Sequence, residues 1–291
     1  MTADYQIMTD ATADLTAEAV DELGIRVIPM AVDMGGESYT FAPKGGNISI
    51  AEFYDRLVDG EVAKTSQINA RVYRQYFEEE LKQGRDVIYI SLSSGLSGSV
   101  GVAIVTAQEL REEYPDRKVI CVDSLCASAG EGLLTYTAVQ KKKQGMTLDQ
   151  LAAWLEEHKK SMAHWVAVDE LSYLQRGGRI STAAAAVGTM LNIKPIIHIN
   201  GEGKLVSVNK VRGRKKSLEV LAEALKANRT DGPSDPVFIG YGTALEDALY
   251  LKELIMKEEG PQDVRLFPIG PVIGAHTGPS IVAVFFFGDA R

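Results

Sequence analysis

Where the apolar run DVIYI ends, the chain continues SLSSGLSGS and then VGVAIVTAQELREEY. The first run has strand character and the last has helical spacing, so serines and glycines gather where a strand hands over to a helix. The first turn of a helix leaves backbone N–H groups unpaired beside a partial positive charge, which makes it a ready anion site. Ser94, Ser97 and Ser99 add hydroxyl donors there, and the helix start adds the Gly98 and Ser99 amides. Ordinary capping, with Ser94 or Ser97 as N-cap, accounts for the same residues. Three other segments have the composition to join such a site. KTSQ offers Thr65 and Ser66 ahead of a helix, where either also serves as an N-cap. LQRGGRIS sets Arg176 and Arg179 around two glycines that let the backbone bend sharply. GPVIGAHTGPS carries His276 and Thr277 in a Gly/Pro loop before the last strand, the most functional surroundings of the four histidines.

Familiar nucleotide and hydrolase motifs do not match. The glycines of the turn are spaced G-x-x-G-x-x-G, not G-x-G-x-x-G. GLSGS lacks the final glycine of the G-x-S-x-G elbow. No GK[ST] loop is present.

These groups hang on an alternation of strands and helices. YQIMTD and RVIPMAVDM bracket the helical LTAEAVDELG. SIAE at Ser49 and the Thr147/Gln150 pair are capping boxes that open two more helices. Strands DVIYISL and KVICVDS alternate with helices, which predicts a mainly parallel sheet covered by helices. The second half reads differently. WVAVDEL and KPIIHI flank STAAAAVGTML, and NGEGK turns KPIIHI back into LVSVNKV as an antiparallel hairpin. Helices from Ser217 and from a Thr243/Glu246 cap precede the strands PVFIGYG, DVRLFPIG and SIVAVFFFG. The fold class expected is α/β with two domains: residues 1–160 with a mainly parallel sheet covered by helices, and 161–291 as a smaller mixed-sheet domain. The boundary is placed near Ser161, with the ligand between the domains.

At 291 residues the chain has room for two domains, and its apolar share of 45% can build real cores. A net charge of −8 argues against nucleic acid as a partner. Cys121 and Cys126 are too few for a disulfide framework or a zinc site, so they are expected to be buried thiols of a reducing cytoplasm. No basic-then-apolar signal segment opens the chain, and IVAVFFF is too short to span a bilayer, which takes ~20 residues.

Taken together, TDATADL, KTSQ, SLSSGLSGS, LSYLQRGGRIS, KVRGRKK and GPVIGAHTGP occur in an order that resembles the DegV family, the fatty-acid-binding proteins that serve bacterial fatty acid kinase. Departures are Ala11, Ile68 and Ser280, where the family usually has Ser, Pro and Gly. The resemblance implies a long-chain fatty acid between two α/β domains. Thr65 and a serine of the turn, Ser94 or Ser97, hold its carboxylate. Arg179 and His276 support them, and Ser66, Gly98, Ser99 and Thr277 complete the binding set. It implies no catalytic residue, metal or cofactor. An ATP-dependent kinase is the implied partner, making an acyl phosphate destined for phospholipid synthesis. Arg212 and Arg214 of the basic run are expected to dock the kinase or touch an anionic membrane surface.

The physics agrees. A carboxylate leaving water needs several donors. A chain of about 16 carbons supplies on the order of 12 kcal/mol of gross transfer energy. AAAAVGTML offers a smooth apolar lining for it. Two rival readings stand beside this one: an acyl hydrolase with Ser97 as nucleophile, His276 as base and an acid such as Asp169, and a carrier of another amphiphilic anion or phosphate ester.

Overall fold

Proline divides the first long apolar run. In the computed structural model, which describes residues 4–181, 192–230, 232, 235–257 and 260–289, RVIPMAVDM is two strands, β2 (Arg26–Ile28) and β3 (Met30–Met34). Pro29 has no N–H for a ladder, so the chain leaves one sheet there and enters another. β2 joins β1 (Tyr5–Asp10), β6 (Asp86–Ser91) and β7 (Val119–Asp123) in a parallel sheet of order β2-β1-β6-β7. β6 is buried along its whole length, as suits an apolar strand covered on both faces. β3 instead pairs antiparallel with β4 (Glu37–Phe41) and β5 (Ala63–Ser66) in a small separate sheet. Lys64, Thr65 and Ser66 of KTSQ therefore lie on a strand, and the N-cap of the next helix is Asn69, not Thr65 or Ser66. The alternation pattern of the sequence missed this sheet because its strands are short and half-polar.

The second half forms a six-stranded mixed sheet. Its strands are β8 (Met162–Ala167), β9 (Ile193–Ile199), β10 (Leu205–Arg212), β11 (Val237–Tyr241), β12 (Val264–Pro268) and β13 (Val282–Phe287). Their order is β10-β9-β8-β13-β11-β12, and only β11 and β12 run parallel among the pairs. The hairpin expected at NGEGK is β9–β10.

The helices α1 (Ala17–Leu23), α2 (Ile50–Val58), α3 (Ala70–Leu81), α4 (Ser99–Glu113), α5 (Ala129–Lys143) and α6 (Leu148–His158) belong to the first half. α7 (Ser172–Arg176), α8 (Arg214–Asn228), α9 (Leu245–Met256) and α10 (Pro271–Thr277) follow. Thr147 and Gln150 form the full capping box of α6, while Ser49 accepts the Glu52 amide without the reciprocal bond. Thr243 does not cap α9; its hydroxyl goes to the Pro279 carbonyl. GPVIGAHT is not a loop but helix α10, opened by Pro271 at a position where its missing N–H costs nothing.

Two helices tie the halves together. α5 packs on β1 and β6 of the parallel sheet and on β8, β11 and β13 of the mixed one. Its buried residues, Leu133, Leu134 and Ala138 among them, share one core with Ile88, Phe238 and Phe285. α10 packs on α2, β3 and β5 although only β13 follows it in the chain. STAAAAVGTML, apart from its first residue, lies outside the described residues.

Candidate ligand-binding site

The Ser/Gly turn is seated on the hairpin. Ser93 is fully buried, donates its hydroxyl to the Gly203 carbonyl at 2.8 Å and accepts the Gly95 amide at 3.1 Å. A Cβ on Gly95 would lie 2.7 Å from that same carbonyl, so only glycine lets the turn and the hairpin meet. Beyond the turn, Ser97 Oγ accepts the Ser99 amide at 3.3 Å and lies 3.0 Å from Ser99 Oγ. Ser99 is buried and accepts the Ile68 amide at 3.2 Å. The Ser99 amide thus donates to Ser97 Oγ, and either hydroxyl of the pair can donate to the other.

A second chain of contacts runs from the C-terminal half. His276 Nε2 lies 2.7 Å from Thr65 Oγ1. Its Nδ1 is buried without a hydrogen-bond partner, against Gly177, where a Cβ would come within 2.2 Å. Burial, and then the nearby Arg179, hold the imidazole down to about 4, so it is neutral near pH 7. A buried orphan N–H is costlier than a buried lone pair, which assigns the ring proton to Nε2 and the donor role toward Thr65 to His276. The Thr65 hydroxyl then keeps its own proton to donate. Arg179 donates Nε–H to the Leu96 carbonyl at 3.2 Å and a second N–H to the Gly177 carbonyl. It thereby bolts the Ser/Gly turn to the Gly-Gly bend.

These groups surround a cavity of about 240 Å³ among the described residues. The polar groups toward solvent are Ser66, Gln67 and Gly98, which are exposed, and Thr65, Ser97, Arg179, His276 and Thr277, which are half-buried. Its buried lining is mostly apolar, with Leu92 after β6, Leu174 of α7, Ile197 and Ile199 of β9, and Ala283 and Phe285 of β13, and it also includes the polar Thr12, Ser128 and His164.

Of the residues singled out from sequence, Thr65, Ser66, Ser97, Gly98, Arg179, His276 and Thr277 line this one cavity. Ser99 stands behind Ser97 and spends its amide on it, so only the Gly98 backbone of the expected amide pair remains at the cavity. Ser94 is exposed, outside the lining, and its amide goes to Asp123. The basic run divides. Arg212 is exposed at the end of edge strand β10, whereas Arg214 is turned inward onto Asp247 at 2.8 Å and the Ser280 carbonyl at 2.6 Å. Reading the sequence missed Thr12, Gln67, Leu96 and Ser128 in the lining. For Thr12, the signal was its place just after a parallel strand, where open α/β sheets bind ligands. Cys121 is free with its thiol pushed up to about 12 by burial, and Cys126 is buried, as expected of structural thiols.

A Ser–His–acid relay is not assembled. His276 faces Thr65 rather than Ser97, its other nitrogen meets Gly177 and no acid, and Asp169 is paired with Lys194 at 2.7 Å. The low proton affinity of His276 makes it a weak base.

The model of the DegV family, described as an uncharacterised protein, DegV family, matches residues 4–289. The chain belongs to the DegV family. A DegV domain-containing protein of Clostridium perfringens is 38% identical over 99% of this chain and 98% of its own length. The solved structure of a DegV family protein from Thermus thermophilus, described as fatty acid binding, superposes with a TM-score of 0.86 at 27% identity, covering 99% of this chain and 100% of that one. A stearic acid-binding protein from Eubacterium ventriosum superposes with a TM-score of 0.82 at 28% identity, covering 97% and 98%. The α/β architecture, with its parallel sheet and separate mixed sheet, is thus that of DegV proteins described as binding fatty acids. Among the described residues no helix is long and apolar enough to cross a membrane.

Proposed function

We propose that this DegV protein is a carrier, not an enzyme, that binds a long-chain fatty acid in this cavity and offers its carboxylate to a separate kinase. One observation carries the reading: along this cavity the lining passes from hydrogen-bond donors at the mouth to mostly apolar buried side chains inside. That gradient matches the two ends of a fatty acid. The Thr65 and Ser97 hydroxyls, each oriented by a donor behind it, point their protons at the carboxylate, and Arg179 contributes charge. The acyl chain, buried among Leu92, Ile197, Ile199 and Phe285, contributes the affinity. The fatty acid binding described for relatives of 27% and 28% identity supports the assignment.

With the carboxylate at the mouth, an ATP-dependent fatty acid kinase of the cytoplasm reaches it without the chain leaving its shelter. The kinase then forms the acyl phosphate, which the carrier keeps hidden from water at its apolar end. Arg212, exposed on the edge strand, serves the docking of that kinase or of an anionic membrane surface. No metal or cofactor is required of the carrier.

Mass spectrometry of lipid extracted from the freshly purified protein tests the reading. Near-stoichiometric long-chain fatty acid is expected, together with acyl phosphate after incubation with kinase and ATP. A different amphiphilic anion in the extract, or no lipid after fatty acid is supplied, overturns it.

A further inference from the structure

Beneath the cavity lies a buried polar cluster that carboxylate binding does not use. Asp10 and Glu131 are both completely buried. Thr12 sits between them, its Oγ1 lying 2.5 Å from Asp10 Oδ1 and 2.8 Å from Glu131 Oε2. A threonine hydroxyl has one proton and cannot donate it to both. One of the two carboxyl groups must therefore supply a proton of its own. Asp10 already receives the Thr12 amide, the Tyr89 hydroxyl and the Leu92 amide besides the Thr12 hydroxyl, the full complement of an ionised carboxylate. Glu131 receives only the Thr9 hydroxyl, at 2.7 Å on Oε1. The proton belongs on Glu131 Oε2.

We propose that Glu131 is a positioning residue, held as a neutral acid that donates its proton to Thr12, and that this stored proton fixes the floor of the ligand cavity. Thr12 and Leu92 of that floor hang directly on the cluster, and Ser128 hangs on the neighbouring Asp14. Thr12 and Leu92 are bonded to Asp10, and the Ser128 hydroxyl is bonded to Asp14 at 2.6 Å. Two glycines hold Glu131 in place. A Cβ on Gly130 would meet His164 Nε2 at 2.3 Å, and one on Gly132 the Ala13 carbonyl at 2.5 Å. α5 is thereby pressed against β8 on one side and the Ala11–Ala13 turn on the other.

The ionisable groups facing Glu131 favour the neutral form. Asp10 and Asp14 are acids, and Tyr89 behind Asp10 is a neutral phenol. On the β8 side, His164 accepts the Ala127 amide at Nε2 and faces the Met162 carbonyl through Nδ1, the pattern of a neutral ring. Burial, and then Asp10, push the Glu131 carboxyl well above the usual range. Losing the proton would set carboxylates side by side in a dry place, with Thr12 short of a donor, and the strand end would part from α5.

The ligand used in the test rests on the carrier reading, but the proton does not. Infrared difference spectra of wild type and E131Q near pH 7 are expected to show one protonated-carboxyl band lost in the variant. Loss of a carboxylate band instead overturns the proposal; should E131Q misfold, titration of the protonated-carboxyl band that remains in Asp14→Asn, which removes the other raised acid, decides the matter. E131Q can donate to Thr12 through its amide and accept from Thr9, so it should bind fatty acid within about twofold of wild type near pH 7. As pH is raised through the alkaline range, wild-type affinity should fall as Glu131 ionises, and E131Q should lack that fall. Parallel profiles for the two proteins overturn the positioning role. A protein that takes up no fatty acid at all sinks the carrier reading and leaves the infrared result to judge the proton.

Discussion

Thr65 Oγ1 and His276 Nε2 lie 2.7 Å apart although 211 residues separate them in the chain. The contact joins β5 of the small antiparallel sheet to α10, which precedes the last strand. It exists because Gly177 has no side chain, so the imidazole can press against that backbone.

Gly177→Ala should therefore weaken ligand binding without touching the ligand. The added methyl would sit 2.2 Å from His276 Nδ1 and force the ring off Thr65. Overpacking of this kind costs ~1–3 kcal/mol. Fatty acid binding by calorimetry should drop about tenfold, matching His276→Ala, and the double variant should lose little more than either single one. Additive losses would show that the two residues act apart.

His276 also makes a pH prediction. Its folded value of about 4 lies below the unfolded one near 6.5, so the unfolded chain binds the proton first. Stability should fall as pH drops through that window, by on the order of 2–3 kcal/mol from this residue. Denaturant melts of wild type and His276→Gln should converge at the acid end. A constant gap between them would contradict the burial argument.

Asp14 predicts the opposite trend. Its buried carboxyl accepts the Ser128 hydroxyl and the Gly270 amide, yet burial raises it to about 8. The folded protein holds this proton more tightly than the unfolded chain, so its contribution is full below about pH 4 and is lost as pH rises to about 8. Asp14→Asn should flatten that slope, which carries roughly 5 kcal/mol as an upper bound. Equal slopes in urea melts of the two proteins would count against it.

Ser97 and Ser94 should separate cleanly. Ser97→Ala removes a hydroxyl that lines the mouth, and a lost bond to a charged group costs ~1.5–3 kcal/mol, about tenfold or more in affinity. Ser94→Ala lies outside the lining and should stay within about twofold of wild type. Competition binding with a fluorescent fatty acid measures both, and equal losses would move the site.

Two arginines two positions apart should likewise diverge. Arg212→Glu should lower kinase-dependent acyl phosphate formation and leave fatty acid binding and melting temperature near wild type. Arg214→Ala should destabilise the fold by ~1–3 kcal/mol, because it strips partners from Asp247 and the Ser280 carbonyl. Normal phosphorylation of Arg212→Glu would return Arg212 to an ordinary surface role.

The alternation of apolar runs and helical spacing was enough to determine the α/β class, the parallel sheet and the β9–β10 hairpin, since these depend on local periodicity and turn chemistry. The order of the polar motifs pointed to the family, and seven of the expected residues line one cavity. Tertiary structure alone decided the rest. Lys64, Thr65 and Ser66 form a strand because β3 is there to pair with them, which no residue within KTSQ records. Ser97 rather than Ser94 faces the cavity because the buried Ser93 seats the turn on a hairpin 110 residues later. Arg214 is spent on Asp247 only because α9 packs beside α8. The protonation of Glu131 is invisible in AGEGLL, because a carboxyl group's proton depends on its dielectric surroundings and on the count of donors around it. Both are set by Asp10, Thr9 and Thr12, residues about 120 positions away that only folding brings to it.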